Sequence, residues 1–506
     1  MHSVYHKIRV TRTITAIVVI CLTTLAFCDF ALGLSPVGRT LASMQFIPAL
    51  FSLSAAWTLT WLAVAFLFGR IYCSTFCPMG IFMDICSRLS RGRKGSPRKR
   101  YHHTAPRNTL RFTILATAGM AAAIGFPLLL VMLDPLSSYG RGVTFTLEPL
   151  TLVLSGHSDK AMLMFGSSAV AAVIAVAVMV AVALVAMRSG RTICNTICPV
   201  GTTFAIPSAY ALMHMDINTD LCTNCYHCVH VCKAHCIDLS SHLIDSSRCV
   251  VCFDCADECP AHAISYRQGS HRLGLPLIER VMARRPQIVK LPEASTENES
   301  APEGRLPLDR RTFLATGVVA AATIATARAQ SSISGIRKAA HEAMHPVNWP
   351  APPGISSFAA FLDHCTACGA CIAACPSKVI KFSSTQYGIT HPMRPVLDYD
   401  KAWCLADCVR CTHRCPTGAL KPLSPDEKKL KPIGRARIFP ENCFVWTGQS
   451  RCLACKHVCP ADAISLNRST PGRVGPEVDH EACIGCGACQ NVCPAPDKAI
   501  FVDGQR

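Results

Sequence analysis

Thirty-two of the 506 residues are cysteine, and most of them stand in runs with one repeated step. Cys222, Cys225, Cys228 and Cys232 are spaced C-x2-C-x2-C-x3-C. Cys249, Cys252, Cys255 and Cys259 repeat that spacing, with Pro260 behind. Toward the C-terminus Cys365, Cys368, Cys371 and Cys375 keep it, and Cys404, Cys408, Cys411 and Cys415 widen the first gap by one. Cys443, Cys452, Cys455 and Cys459 widen the gap to eight, and Cys483, Cys486, Cys489 and Cys493 return to the regular step. Three thiolates on one tight loop reach three corners of an iron–sulfur cubane, while the x3 step carries the fourth toward a neighbouring cluster. Six groups supply six 4Fe-4S clusters, whose plain use is moving single electrons. Zinc is the rival reading, but zinc sites are usually built from two pairs rather than a run of four. Disulfide frameworks do not come as this repeat. No C-x-x-C-H, no Gly-rich dinucleotide fingerprint and no H-E-x-x-H accompanies the runs.

In tandem pairs of this kind Cys259 completes the set Cys222, Cys225 and Cys228, and Cys232 completes Cys249, Cys252 and Cys255. Lys233 stands where the first run would carry proline. For the four C-terminal groups, spacing leaves open whether neighbours exchange their fourth cysteine or the first exchanges with the last.

Two further pairs have a different step. Cys73 and Cys77 precede Pro78, and Cys194 and Cys198 precede Pro199. Both are C-x3-C-P, followed by Gly80 and Gly201. Each pair closes an apolar span, so the four thiols are candidates for a shared metal, cluster or thiol redox site. The alternative is two separate structural or redox pairs. Cys21, Cys28 and Cys86 read as small apolar side chains in or near helices, and Cys236 as an extra structural thiol.

The elements that position these cysteines follow from hydropathy and charge. Half of the residues are hydrophobic and mean hydropathy is +0.30, as in a membrane protein. Four apolar spans are expected, near Ile14–Leu34, Met44–Phe68, Thr109–Leu133 and Ala161–Met187, each long enough for a ~30 Å hydrocarbon core. Nine Lys and Arg lie between Arg88 and Arg111 with no acid among them, within a net charge of +18. Their place between two spans marks a cytoplasmic loop rather than a nucleic-acid patch. The expected fold is a membrane α-helical bundle of four transmembrane helices plus α+β bacterial-type ferredoxin domains. Asp29 falls in the first span, where a charge is expensive. Asp134, Glu148 and His157 fall in an outer loop over residues 134–160 that reads as an ordinary solvated connection, the alternative being a set of acceptors for quinol protons.

The segment over residues 309–330 begins with Arg310 and Arg311, continues through Thr312, Phe313 and Leu314, and runs on through alanines to Ala327-Arg328-Ala329. It resembles a twin-arginine export signal, here past the middle of the chain, with an A-x-A cleavage site; uncut, it would serve as a fifth span. The expected domains are a membrane part (1–201), a cytoplasmic two-cluster ferredoxin (213–270) and a linker (271–308). The export-like segment (309–330) and an exported four-cluster domain (331–506) follow. On this reading the chain is a multi-pass protein of a bacterial inner membrane, with residues 188–308 cytoplasmic and residues 331–506 periplasmic.

Four spans, two C-x3-C-P pairs and a two-cluster tail resemble the NapH family over about residues 1–268. The twin-arginine segment with four clusters resembles the NapG/MauM family of exported ferredoxins over about residues 308–506. The resemblance implies a quinol dehydrogenase component, taking electrons from the quinone pool. They would pass to a periplasmic cytochrome or metalloenzyme such as a nitrate reductase system, and no nucleic acid is involved. A maturation factor supplying electrons during biogenesis of a periplasmic metalloenzyme would use the same modules. One difficulty follows: the bilayer separates the two cluster sets, and the chain shows no haem ligand pair to bridge it.

Overall fold

The computed structural model describes residues 2–28, 35–52, 54–91, 101–123, 127–154, 156, 158–268, 348–383, 386–388, 391–467 and 474–505. Residues 1–271 and 348–506 belong to one packed unit, so the C-terminal cysteine domain is not detached from the helices. The export-like segment, its cleavage site, the linker, Asp29 and His157 lie outside the described residues.

Helix α1 (His2–Phe27) is continuous over 26 residues, basic in its first turns (Lys7, Arg9, Arg12) and apolar beyond them. Short helices α2 (Ser35–Ser43) and α3 (Phe46–Phe51) follow, then α4 (Ala55–Phe68), α5 (Tyr72–Thr75) and α6 (Pro78–Arg91). Helix α7 (Asn108–Ala123) and α8 (Leu128–Leu133) lead into α9 (Pro135–Leu154) and α10 (Ser158–Ser189). Helices α11 (Thr192–Thr196) and α12 (Pro199–Ala209) close the bundle. Among the described residues, two helical segments are long and apolar enough to cross a membrane, Val4–Phe27 and Ala171–Ser189; Ala55–Phe68 is a shorter apolar helix. The expected second span is broken between α3 and α4, and the third between α7 and α8, where Pro127 opens the second piece. At 1.5 Å per residue, α4 is about 21 Å long, short of a full crossing. Two of the four expected spans are therefore single long helices; the other two are jointed.

The stretch expected as a solvated outer loop is helix α9, and much of it is buried. Asp134 caps it, accepting from Ser137 N at 2.9 Å and Leu136 N at 3.3 Å, with Pro135 in the first turn. Glycine and serine on α9 allow close packing: a Cβ at Gly142 would sit 2.3 Å from Met179 of α10.

The cysteine domains are loops pinned by two-stranded antiparallel ribbons. In the inner one, β1 (Met213–Ile217) pairs with β4 (Ile264–Gln268), and β2 (Ile237–Asp238) pairs with β3 (Leu243–Ile244). In the outer one, β5 (Ile380–Phe382) pairs with β6 (Pro395–Leu397), β7 (Gly434–Ile438) with β10 (Ile500–Gly504), and β8 (Ile464–Asn467) with β9 (Gly475–Val478). Each ribbon holds the ends of its cysteine loops together, as short strands after such loops must.

The two domains hold opposite ends of α1. At its start, Tyr5 Oη accepts from Tyr266 N at 3.0 Å, and Arg9 pairs with Asp257. At its end, Arg414 donates to Ala26 O at 3.2 Å, and Phe27 packs beside Gly140 and Cys368. About 30 Å of helix separates these contacts, close to the thickness of a hydrocarbon core.

Candidate iron–sulfur sites

Three pockets of similar size lie among the cysteine loops. One is lined by Cys222, Cys225, Cys228 and Cys259. Another is lined by Cys365, Cys368, Cys371 and Cys415, and a third by Cys483, Cys486, Cys489 and Cys459. Each takes three cysteines from one run and the fourth from another. The remaining sets follow from electrostatic proximity. Cys255 lies among Cys249, Cys252 and Cys232; Cys411 among Cys404, Cys408 and Cys375; Cys455 among Cys443, Cys452 and Cys493. In the outer domain, therefore, neighbours exchange: the first group with the second and the third with the fourth.

The chemistry of these sets fits a cluster. Burial pushes the Cys228 and Cys368 thiols up to about 12, so without a metal they would stay protonated at neutral pH. Bound iron draws off those protons and supplies one-electron chemistry. Among the described residues no three Cys, His, Asp or Glu side chains close around a single ion. A zinc ion with ~2.3 Å bonds would need its thiolates within ~4 Å of one another. The protein also supplies donors. Ala263 N lies 3.4 Å from Cys259 Sγ, Leu420 N 3.4 Å from Cys415 Sγ, and Ala499 N 3.4 Å from Cys493 Sγ.

Two residues near the cysteines were not legible as site residues. Buried Lys428 donates to Cys404 Sγ at 3.3 Å and to Cys408 O at 2.7 Å. Cys236, expected as a bystander, has its sulfur 3.5 Å from Cys232 Sγ and so lies against the second inner set. A lysine 13 residues beyond the last cysteine of the run it serves carries no spacing signal. Cys21 is exposed on α1, whereas Cys28 and Cys86 are buried.

The two C-x3-C-P pairs do converge. Cys77 lies within electrostatic reach of Cys73, Cys194 and Cys198, and all four belong to or pack against one apolar cluster that also holds Val250 and Cys368. Three residues before each pair stands a fully buried arginine, and the two cross over. Arg70 donates to Cys194 O at 3.2 Å, and Arg191 to Cys73 O at 2.6 Å. The matched offset of Arg70 and Arg191 was a signal in the sequence.

Asp134 and Glu148, expected in solvent, are buried. Glu148 pairs with Lys378 at 2.8 Å, just beyond the first outer cysteine group, and Arg141 donates to Ala367 O at 3.4 Å. A Cβ at Gly140 would lie 2.6 Å from Cys368 O. These residues seat the first outer set on α9 instead of serving an open loop.

Sequence comparisons agree with the chemistry. A 4Fe-4S binding domain model matches residues 50–97 and 171–209, the stretches that carry the two C-x3-C-P pairs. Models of 4Fe-4S dicluster domains match residues 364–420 and 450–496. With the cysteine geometry, these define a ferredoxin-type iron–sulfur protein of electron transfer with multiple 4Fe-4S clusters. The ferredoxin-type protein NapG of Escherichia coli strain K12 is 31% identical over 165 residues, which cover 30% of this chain and 68% of NapG. The methylamine utilization ferredoxin-type protein MauM of Methylophilus methylotrophus is 34% identical over 164 residues, 29% of this chain and 68% of that protein. MauM of Methylorubrum extorquens is 31% identical over 202 residues, 38% of this chain and 88% of its own. The chain belongs to this family of ferredoxin-type 4Fe-4S proteins. No solved structure matches it.

Proposed function

We propose that this chain carries electrons across a bacterial inner membrane, from quinol to a redox partner on the periplasmic face. One observation carries the reading: the two cysteine domains grip the two ends of α1, about one bilayer apart. Residues 101–104, which lead into α7, lie with the inner domain: Tyr101 N donates to His230 O and Arg248 to Thr104 O. Arg9 and Arg88, which pair with Asp257 and Asp254 of that domain, favour its cytoplasmic placement. The continuous apolar cluster from Val250 to Cys368 supports an answer to the missing haem, because the packed bundle itself lies between the two cluster sets.

One cleft would suit a quinol. It has a volume of about 430 Å³, is open to solvent and lies between α1, α6 and the inner domain. Its apolar wall is Val10, Ile14 and Val231, and its polar side has Arg9, Arg88, Lys233, Asp254 and Glu258. Lys233 follows Cys232 and Asp254 precedes Cys255, so a ring there would adjoin the second inner set. Apolar walls suit an isoprenoid tail, and Glu258 is exposed to pass protons to water. At the far side the third outer group is only half buried, with exposed Arg451 and Lys456 beside it, which suits an acidic partner protein.

The test is turnover in vesicles of known orientation with a ubiquinol or menaquinol analogue. Steady quinol oxidation with an external acceptor supports the reading. No turnover, together with a need for the protein only while a periplasmic metalloenzyme is being built, overturns it in favour of a maturation role.

A further inference from the structure

Cys232 is followed by three residues and then Cys236; Cys259, Cys375, Cys415 and Cys459 are followed by three residues and then Ala263, Val379, Ala419 and Ala463. The backbone repeats with the sequence. The third residue of each step, His235, His262, Lys378, Gly418 or Asp462, has a left-handed φ between 47° and 72°. His235 N donates back to Cys232 O at 3.1 Å, and His262 N to Cys259 O at 3.2 Å. One tight turn therefore brings the fourth residue beside the sulfur it follows.

What stands in that place differs. In three sets it is an alanine that lines the pocket between the cysteines: Ala263 with Cys259, Ala419 with Cys415 and Ala463 with Cys459. The second inner set has a thiol there instead. Cys236 Sγ lies 3.5 Å from Cys232 Sγ, is within hydrogen-bonding reach of Cys249, and is buried at 2% exposure. Cys232 and Cys249 both belong to the second inner set, so Cys236 sits between two of its corners. An alanine would fill the space as it does in the other sets; a thiol adds a donor for iron. The turn is also tied down from outside. The His235 ring nitrogens face His102 O at 2.7 Å and Ser189 O at 3.0 Å, and Asp245 N donates to Cys236 O at 2.9 Å.

We propose that Cys236 is a reserve ligand of the second inner cluster, able to take over the iron held by Cys232. A separation of 3.5 Å is that of an S–H···S contact, not of two corners of one cubane, so one sulfur holds iron while the other keeps its proton. Exchange breaks the Fe–S bond to Cys232, forms one to Cys236 and passes the Cys236 proton to Cys232. No electron moves, and the iron keeps its oxidation state. The cluster beside the cleft of α1 and α6 thereby has five thiols for four places, whatever its electron donor.

The test is iron and acid-labile sulfide per chain, with EPR of the reduced protein, on the full chain purified in detergent without oxygen. Cys236→Ala should keep the native content, because Cys232 holds the iron. Cys232→Ala should keep it too, with altered EPR g values as Cys236 takes over. Cys232→Ala/Cys236→Ala should lose about four iron and four sulfide. Cys259→Ala, with Ala263 in the reserve place, should lose the same amount by itself. Cys259→Ala/Ala263→Cys should regain it, which reads the same chemistry at another set without altering Cys232. Loss of the four iron from Cys232→Ala while Cys236 is intact, or no recovery with Ala263→Cys, would overturn the proposal and leave Cys236 a small buried side chain only. Loss from Cys236→Ala alone would overturn it as well, because Cys236 would then be the resident ligand.

Discussion

The inner and outer cysteine domains use the same loop chemistry but are fastened to the helices by different forces. The inner domain is held by charge. Asp84 of α6 accepts from Arg191 at 2.7 Å and Lys233 at 2.9 Å, with Arg12 at 3.7 Å, and Lys233 also pairs with Asp254 at 3.0 Å. The outer domain is held mainly by shape: the Cys368 loop sits against Gly140 and Phe27, and Phe382 packs on Phe145 at 5.4 Å, with one buried pair, Lys378–Glu148. The difference teaches how one chain can seat similar modules at two ends of a bundle without exchanging them. A charged socket at one end rejects the apolar plug made for the other.

That contrast can be broken first at Asp84. Asp84→Asn leaves Arg191 buried without a carboxylate and Lys233 with Asp254 alone, and should cost about 3–5 kcal/mol at the inner interface. Thermal scans following the inner clusters should show the loss, while the outer clusters melt as before. Acid sharpens the same point. Burial alone would raise the Asp84 and Asp254 carboxyls, but Arg191 and Lys233 beside Asp84, and Lys233 and Arg12 beside Asp254, outweigh it and hold both below the usual carboxylate range. Their contribution is present above the unfolded value of ~3.9 and is lost as pH falls through the folded values. The gap between native and Asp84→Asn should therefore begin to narrow below about pH 4 and keep narrowing as pH falls further.

At the outer end, Glu148→Gln should cost about 3 kcal/mol by leaving Lys378 unpaired, and Glu148→Gln/Lys378→Met should recover part of it. Thermal release of the outer clusters would measure both. Gly140→Ala should cost about 1–3 kcal/mol through its clash with Cys368 O and Phe27, read as faster proteolysis of the outer domain only. The smallest effect concerns tuning. Lys428→Met removes a charged donor from Cys404 and should lower the potential of that cluster by roughly 60 mV, as redox-poised EPR would report.

The cysteine runs were legible because cubane geometry imposes spacing on a single loop. Pairing among the four outer groups was not, since either exchange uses the same spacing, and it is the tertiary packing that brings Cys415 to the first group and Cys375 to the second. The first and fourth spans were legible as long apolar helices, although α1 begins at His2 and ends at Phe27, earlier than its apolar run suggested. Helix α9 reads as a loop in the sequence because Gly140, Gly142 and Pro149 all argue against a helix locally. Packing against α10 and the outer domain overrides those preferences. Its start could have been seen in Asp134-Pro135, a cap followed by a first-turn proline.

The most direct measurement is which face each domain meets. Epitope tags after Gly95 and at the C-terminus, with protease added to spheroplasts, separate the two cases. The account predicts that the C-terminal tag is lost from intact spheroplasts, while the tag after Gly95 is cut only after lysis, and that Arg310→Lys/Arg311→Lys protects both. Two tags protected together in the native protein would place both cluster sets on one face and contradict it.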